Sequence, residues 1–138
     1  MVPSAILELS GKMLVNAYKN KEFNKWAKKE SLSDALLLAA LDEMGRGLVE
    51  ADLGGNVFKK RVSLGQGKSG GARTLLAYKK DDRAFFIFGF AKNARANIKD
   101  SELRSLKLYA KILLNYSEKE LTKAIKEKAL IQVGANDG

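Results

Sequence analysis

The spacing of apolar residues changes twice along the chain, dividing it into a helical part, a strand-rich part and a second helical part. Between Lys21 and Lys29, Phe23, Trp26 and Ala27 recur at i, i+3 and i+4 among lysines. That spacing gives one buried stripe on a short amphipathic helix, and it makes Trp26 a core anchor rather than a platform for a base. The run from Asp34 to Met44 is rich in strong helix formers and has an acid in its first turn. Ser31 or Ser33 supplies its cap, and Gly45 or Gly47 its end. Ahead of both helices, Met13 to Tyr18 reads as a short opening strand. Residues 1 to 12 read as an N-terminal extension, with Met13 an alternative start.

After the turn signal Gly54-Gly55-Asn56 the period becomes two, predicting strands over Val57 to Val62, Ala72 to Lys79 and Arg83 to Phe90. On the first of these, alternation puts Phe58 and Val62 on one face and Lys59 and Arg61 on the other. Lys60 interrupts the apolar face and reads as an edge position. The third strand, with Phe85, Phe86, Ile87, Phe88 and Phe90, has no polar face, as expected of a central strand covered on both sides. A tight hairpin at Lys80-Asp81-Asp82 pairs positions whose numbers sum to about 162 or 163, which sets Arg73 opposite Gly89 or Phe90. Tyr78 then lies on the other face from Arg73, in the core.

A third helix runs from Asp100 or Ser101 to Tyr116, with Leu103, Leu106, Ala110, Leu113 and Leu114 as its apolar stripe and Lys107 and Lys111 outside it. Ser117-Glu118-Lys119-Glu120 has the form of a capping box and starts a fourth helix near residue 118. Leu130 to Val133 is a final short strand or an apolar tail, and residues 134 to 138 a frayed tail. The sum is an α+β fold: a small antiparallel sheet with two N-terminal helices and C-terminal helices packed on it, forming one domain over residues 13 to 133.

Composition narrows the chemistry. The chain has 138 residues, 46% of them hydrophobic, which suits a single globular core. Neither cysteine nor histidine occurs. Disulfides, thiol catalysis and structural zinc are thereby excluded, along with the usual proton shuttle, and no metal or cofactor is expected. No segment has the roughly twenty apolar residues needed to span a bilayer, and a soluble cytoplasmic protein without a membrane partner is the expectation. The net charge of +9 favours an acidic partner, nucleic acid ahead of an acidic protein or a membrane surface.

Two basic, glycine-marked segments stand out: Gly65 to Arg73 and Gly89 to Arg95. Gly67-Lys68-Ser69 invites comparison with a phosphate-cradling nucleotide loop, but Val62 stands where that pattern requires glycine and a strand follows instead of a helix. What remains is a basic hairpin loop, with Gly70 and Gly71 supplying unusual backbone angles. It is either a plain turn or a clamp on a nucleic-acid backbone. The hairpin brings Arg73 to the same end of the sheet as Lys92, Asn93 and Arg95, and an adjacent first strand adds Lys59 and Arg61.

RNA cleavage needs a base for the ribose 2′-hydroxyl, cations for the charge developing on phosphorus, and an acid for the leaving 5′-oxygen. Crowded cations favour the neutral form of a lysine, so Lys92 or Lys59 is a candidate base, and arginine serves as a permanently charged clamp. The competing reading is a solvated basic face or a docking surface for an acidic protein. Glu102, Glu118 and Glu120 read as helix-start and surface acids.

The runs Phe58-Lys59-Lys60-Arg61-Val62, Gly65 to Leu75 and Phe86 to Asn93 resemble the HigB-like and phage Gp49-like branch of the RelE/ParE toxin superfamily. Most of the resemblance is carried by the Gly-Lys-x-Gly-Gly-x-Arg loop ending at Arg73 and the Phe-x-Lys-Asn strand end at Phe90 to Asn93. It extends loosely from residue 14 to residue 133. The resemblance implies a small RelE-like sheet with helices on one face, and the toxin of a type II toxin–antitoxin pair. It also implies ribosome-dependent cleavage of messenger RNA, and a cognate antitoxin, expected to be a helix-turn-helix protein, in a hetero-oligomer with the toxin. By the same resemblance Arg73 matches the arginine that contacts the scissile phosphate, Lys59 and Arg61 match basic residues of the first long strand, and Lys92, Asn93 and Arg95 fall in the basic segment after the last central strand. The reading built on this has Lys92 or Lys59 as the base and Arg61, Lys68, Asn93 and Arg95 holding RNA. RelE itself carries arginine where Asn93 aligns and tyrosine near Lys99, so the acid and stacking roles have no assigned owner. A ParE-like inhibitor of DNA gyrase, or a non-catalytic RNA-binding module, are the alternatives.

Overall fold

Side-chain caps set where the helices begin. The computed structural model describes residues 16–63, 71–91, 95 and 97–134. Helix α1 (Lys21–Lys29) is capped by Asn20, whose Oδ1 accepts from the Phe23 amide at 2.7 Å. Helix α2 (Asp34–Gly45) takes Ser33 as its cap, with Oγ accepting from Leu36 at 3.2 Å. It is followed by Gly47 at φ +87°, a left-handed angle that favours glycine after a helix end. Helix α3 (Asp100–Leu114) ends two residues before the expected Tyr116. Helix α4 (Glu118–Lys126) starts at the predicted capping box: Ser117 Oγ accepts from the Glu120 amide at 3.0 Å, and Glu120 accepts from the Ser117 amide at 2.8 Å.

The strands are β1 (Asn16–Asn20), β2 (Ala51–Asp52), β3 (Val57–Val62), β4 (Ala72–Lys79), β5 (Arg83–Ala91) and β6 (Leu130–Gln132). They form one sheet in the order β2-β3-β4-β5-β1-β6. The antiparallel centre matches the sequence reading, down to Arg73 standing opposite Phe90. One pairing differs: β1 runs parallel to β5, with Asn16 beside Arg83 and Lys19 beside Phe86. The register of β4 against β5 shifts between Leu75 and Leu76, so that Leu75 pairs with Phe88 and Leu76 with Phe86. The skipped residue, Ile87, has its carbonyl satisfied by Asn20 Nδ2 at 3.2 Å, so one asparagine caps α1 and closes the bulge.

Helices cover both faces of the sheet rather than one. Phe23, Leu37 and Leu41 from α1 and α2 pack with Leu76, Tyr78 and Phe86 on one side. Leu113 and Leu121 from α3 and α4 pack with Val57, Leu75, Ala77, Phe85 and Ile87 on the other. Double coverage is why β5 is apolar on both faces. Lys60, expected at an edge, is instead buried under α2, where its Nζ lies 2.6 Å from Glu43 Oε1. Trp26 is half-buried and packs against the α1/α2 core. Gly134, expected to fray with the tail, donates its amide to Asp34 Oδ2 at 2.8 Å. No helix among the described residues is long and apolar enough to cross a membrane.

Candidate nucleic-acid interface

The α3/α4 face of the sheet changes character along β3 and β4. Cross-strand neighbours pass from Val57 opposite Ala77, through Lys59 opposite Leu75, to Arg61 opposite Arg73. Because strand side chains alternate, Lys59, Arg61 and Arg73 share this face, apolar at one end and basic at the other. Arg61 is exposed, whereas Arg73 is only 8% exposed. Two arginines directly opposite each other repel. Part of that repulsion is offset by Glu50, just ahead of β2: its Oε1 lies 3.1 Å from Arg73 Nε, and its Oε2 lies 4.0 Å from Lys59 Nζ.

Phe90, opposite Arg73, extends the site to Arg95. The Arg95 guanidinium stands 5.4 Å from the Phe88 ring centre and 5.7 Å from that of Phe90, within range of a cation–π contact. Its Nη1 donates to Glu102 Oε1 at 2.7 Å and its Nη2 to Oε2 at 3.2 Å, a bidentate pair. This pairing, helped by the Lys99 amide, holds the Glu102 carboxyl below the usual carboxylate range and raises Arg95 above its ordinary value. Glu102 is thus more than a helix-start acid, since it aims Arg95 at the aromatic rings.

Of the residues singled out from the sequence, Lys59, Arg61 and Arg73 come together, and Arg95 joins them across Phe90. Lys68, Lys92 and Asn93 lie outside the described residues, as does the loop from residue 64 to 70. Gly71, at the start of β4, has φ +60°, the left-handed angle expected of it.

Glu50 is the residue the sequence reading missed. A signal for it existed. A hairpin turning at Gly54-Gly55-Asn56 pairs Ala51 with Lys59 and Asp52 with Phe58, which carries Glu50 back beside the basic strand. Its amide donates to the Lys59 carbonyl at 2.9 Å, and that bond fixes the carboxylate among the cations. As β2 is only two residues long, it leaves almost no period to read.

Two cations on one carboxylate, a third opposite Arg73, and the Arg95 guanidinium over two aromatic rings make a site suited to a phosphodiester and a base. No curated protein and no solved structure matches the chain. The family profile described as the RelE toxin of the RelE/RelB toxin–antitoxin system matches residues 15–133, a span that holds every described helix and strand. Such a toxin works against a cognate antitoxin, its partner by family. With the match covering the whole described sheet and both helical layers, the chain belongs to the RelE toxin family.

Proposed function

We propose that this toxin is a ribosome-dependent endoribonuclease that cleaves messenger RNA in the cytoplasm and so arrests translation, without a metal ion. The observation that carries the reading is Arg73 with its Nε 3.1 Å from Glu50, on a face shared with Lys59 and Arg61. A phosphate oxygen is the same kind of acceptor as the carboxylate now bonded to that Nε. In the proposed step the ribose 2′-oxygen attacks phosphorus and the bond to the 5′-oxygen breaks; the leaving 5′-oxygen takes a proton from water, which gives a 2′,3′-cyclic phosphate and a free 5′-hydroxyl. Arg73 and Arg61 stabilise the charge on the equatorial oxygens. The 2′-hydroxyl proton passes to Glu50, a carboxylate held against Arg73 and Lys59; Lys59 and Lys92 are the other candidate bases. The half-exposed Arg95 guanidinium, carried over the Phe88 and Phe90 rings, offers a flat cation for the flanking base to stack on. The Gly-Lys-x-Gly-Gly-x-Arg loop supports a HigB-like branch within the family.

Induction of the wild-type protein, followed by primer extension on cellular messages, is expected to give new in-frame 5′ ends. Arg73→Ala should reduce them by about 10²–10³-fold, and Glu50→Gln by about 10²–10⁴-fold. Absence of new ends with the wild type, or undiminished ends with Arg73→Ala, would overturn the reading. Loss of gyrase supercoiling with translation intact would replace it with ParE-like inhibition.

A further inference from the structure

A second basic site lies at the other end of β4. The turn between β2 and β3 and the last turns of α3 enclose a cleft of about 390 Å³, lined by Lys79, Lys107 and Lys111 together with Gly55, Asn56 and Asn115. Its rim is held in place. Asn56 Nδ2 donates to the Tyr78 carbonyl at 3.2 Å and Asn115 Nδ2 to the Lys111 carbonyl at 2.8 Å. The stem of Lys107 lies along the turn, where a Cβ at Gly55 would meet its Cγ at 3.2 Å and one at Gly54 would meet its Nζ at 3.2 Å. Two residues without side chains therefore let this ammonium lie close over the backbone.

The three lysines come from two layers of the fold, and among the described residues neither Lys107 nor Lys111 has an ion-pair partner. Lys79 has only a 3.9 Å approach to Asp82 across the exposed hairpin turn. Convergence of this kind costs like-charge repulsion that an anion would relieve. Position favours a particular anion. Lys79 and Arg73 are both odd-numbered residues of β4 and share its α3 face, six residues apart, or roughly 20 Å at strand rise. Between them α3 covers Leu75 and Ala77, and on α3 itself Arg104, Lys107 and Lys111 follow at i, i+3 and i+7, along one face of the helix. Cations thus run along α3 towards the cleft. A chain of regularly spaced phosphates fits this arrangement better than a compact acidic ligand would.

We propose that the cleft of Lys79, Lys107 and Lys111 is a second backbone-phosphate subsite, which holds the same RNA strand at a point remote from Arg73. It rests on RNA being the ligand at Arg73. The subsite anchors the strand and takes no part in bond breaking, so its loss changes binding and leaves the cleavage position unaltered.

The test is fluorescence anisotropy of the full-length protein with a labelled single-stranded RNA 20-mer over a salt series, run alongside the primer-extension assay. Loss of two phosphate contacts should make the slope of log K against log salt shallower by about 1.4 in Lys107→Gln/Lys111→Gln, and loss of one by about 0.7 in Lys79→Gln. Because Lys79 is on a strand, its variant separates a lost contact from a damaged helix. The sites of message cleavage should be unchanged in both variants. An unchanged slope in the lysine variants overturns the subsite whether or not the wild type cuts RNA. Weakened binding to polyglutamate with RNA binding intact also overturns it, in favour of an acidic protein partner. A shallower slope in the variants of a protein that yields no new message ends supports the subsite and rejects only the cleavage chemistry.

Discussion

At the scale of single residues, Gly89 shows how far a motif's meaning depends on what packs against it. In the sequence it marks a basic segment beside a proposed phosphate site. In the fold a Cβ at this position would overlap the six-membered ring of Trp26, so the glycine exists to let the indole lie on β5. Gly89→Ala must push the ring aside or bend the strand, and overpacking of this kind costs about 1–3 kcal/mol. The expected outcome is a lower urea midpoint at unchanged slope. The double variant Gly89→Ala/Trp26→Ala should lose less than the two single changes added together, and strict additivity would refute the contact. Glu50 teaches the opposite lesson. Its immediate neighbours carry no motif, and its one signal is the Gly54-Gly55-Asn56 turn that folds it back beside the basic strand, yet it is the carboxylate bonded to Arg73.

At the scale of elements, the helices were legible because their start signals are local. A serine with a glutamate three residues on, or a serine before an acid, satisfies orphan amides using only neighbours in sequence, and Ser117 and Ser33 do so. The strands β3, β4 and β5 were legible from alternation and from the tight turn between the last two. Asn20 was not, since half of its task lies 67 residues away at the Ile87 carbonyl. Asn20→Ala therefore removes a cap and orphans a buried carbonyl, for a loss of about 2 kcal/mol. Hydrogen exchange should show faster opening of α1 and of the bulged part of β5 together; protection lost in α1 alone would mean that the bulge is held by other contacts. Lys60 was misplaced for a related reason: a lysine among apolar strand residues reads as exposed until a partner such as Glu43 on another element is known.

At the scale of the whole molecule, three carboxylates tie the layers together and give the fold its expected response to acid. Burial works against the Asp34 carboxylate, but hydrogen bonds from Lys19 and the Gly134 amide outweigh it and hold the carboxyl below its ordinary value of 3.8. Lys60 does the same for Glu43, and Arg95 for Glu102, each against an ordinary value of 4.5. With folded values below unfolded ones, the unfolded chain binds more protons as the pH falls. The stability from these pairs is complete above the ordinary values and is lost as the pH drops through the lower, folded ones. Melting temperature should therefore be flat near neutrality and fall below about pH 4.5. The slope should be shallower in high salt, because these pairs meet solvent. Calorimetry of Asp34→Asn/Glu43→Gln/Glu102→Gln should give a lower neutral melting temperature and a flatter acid limb; an unaltered acid slope would mean that other groups govern it. The helices, the central antiparallel strands, the basic character of one strand face and the lack of histidine and cysteine side chains are readable from the residues alone. All of these follow from period, caps and composition, which act over a few residues. Long-range packing was needed to settle that β1 enters parallel to β5, which helices cover which face, that Glu50 sits against Arg73 and that Lys79 meets Lys107 and Lys111 in one cleft. Those arrangements depend on which distant segments pack together, and burial and charge pairing across the layers select them.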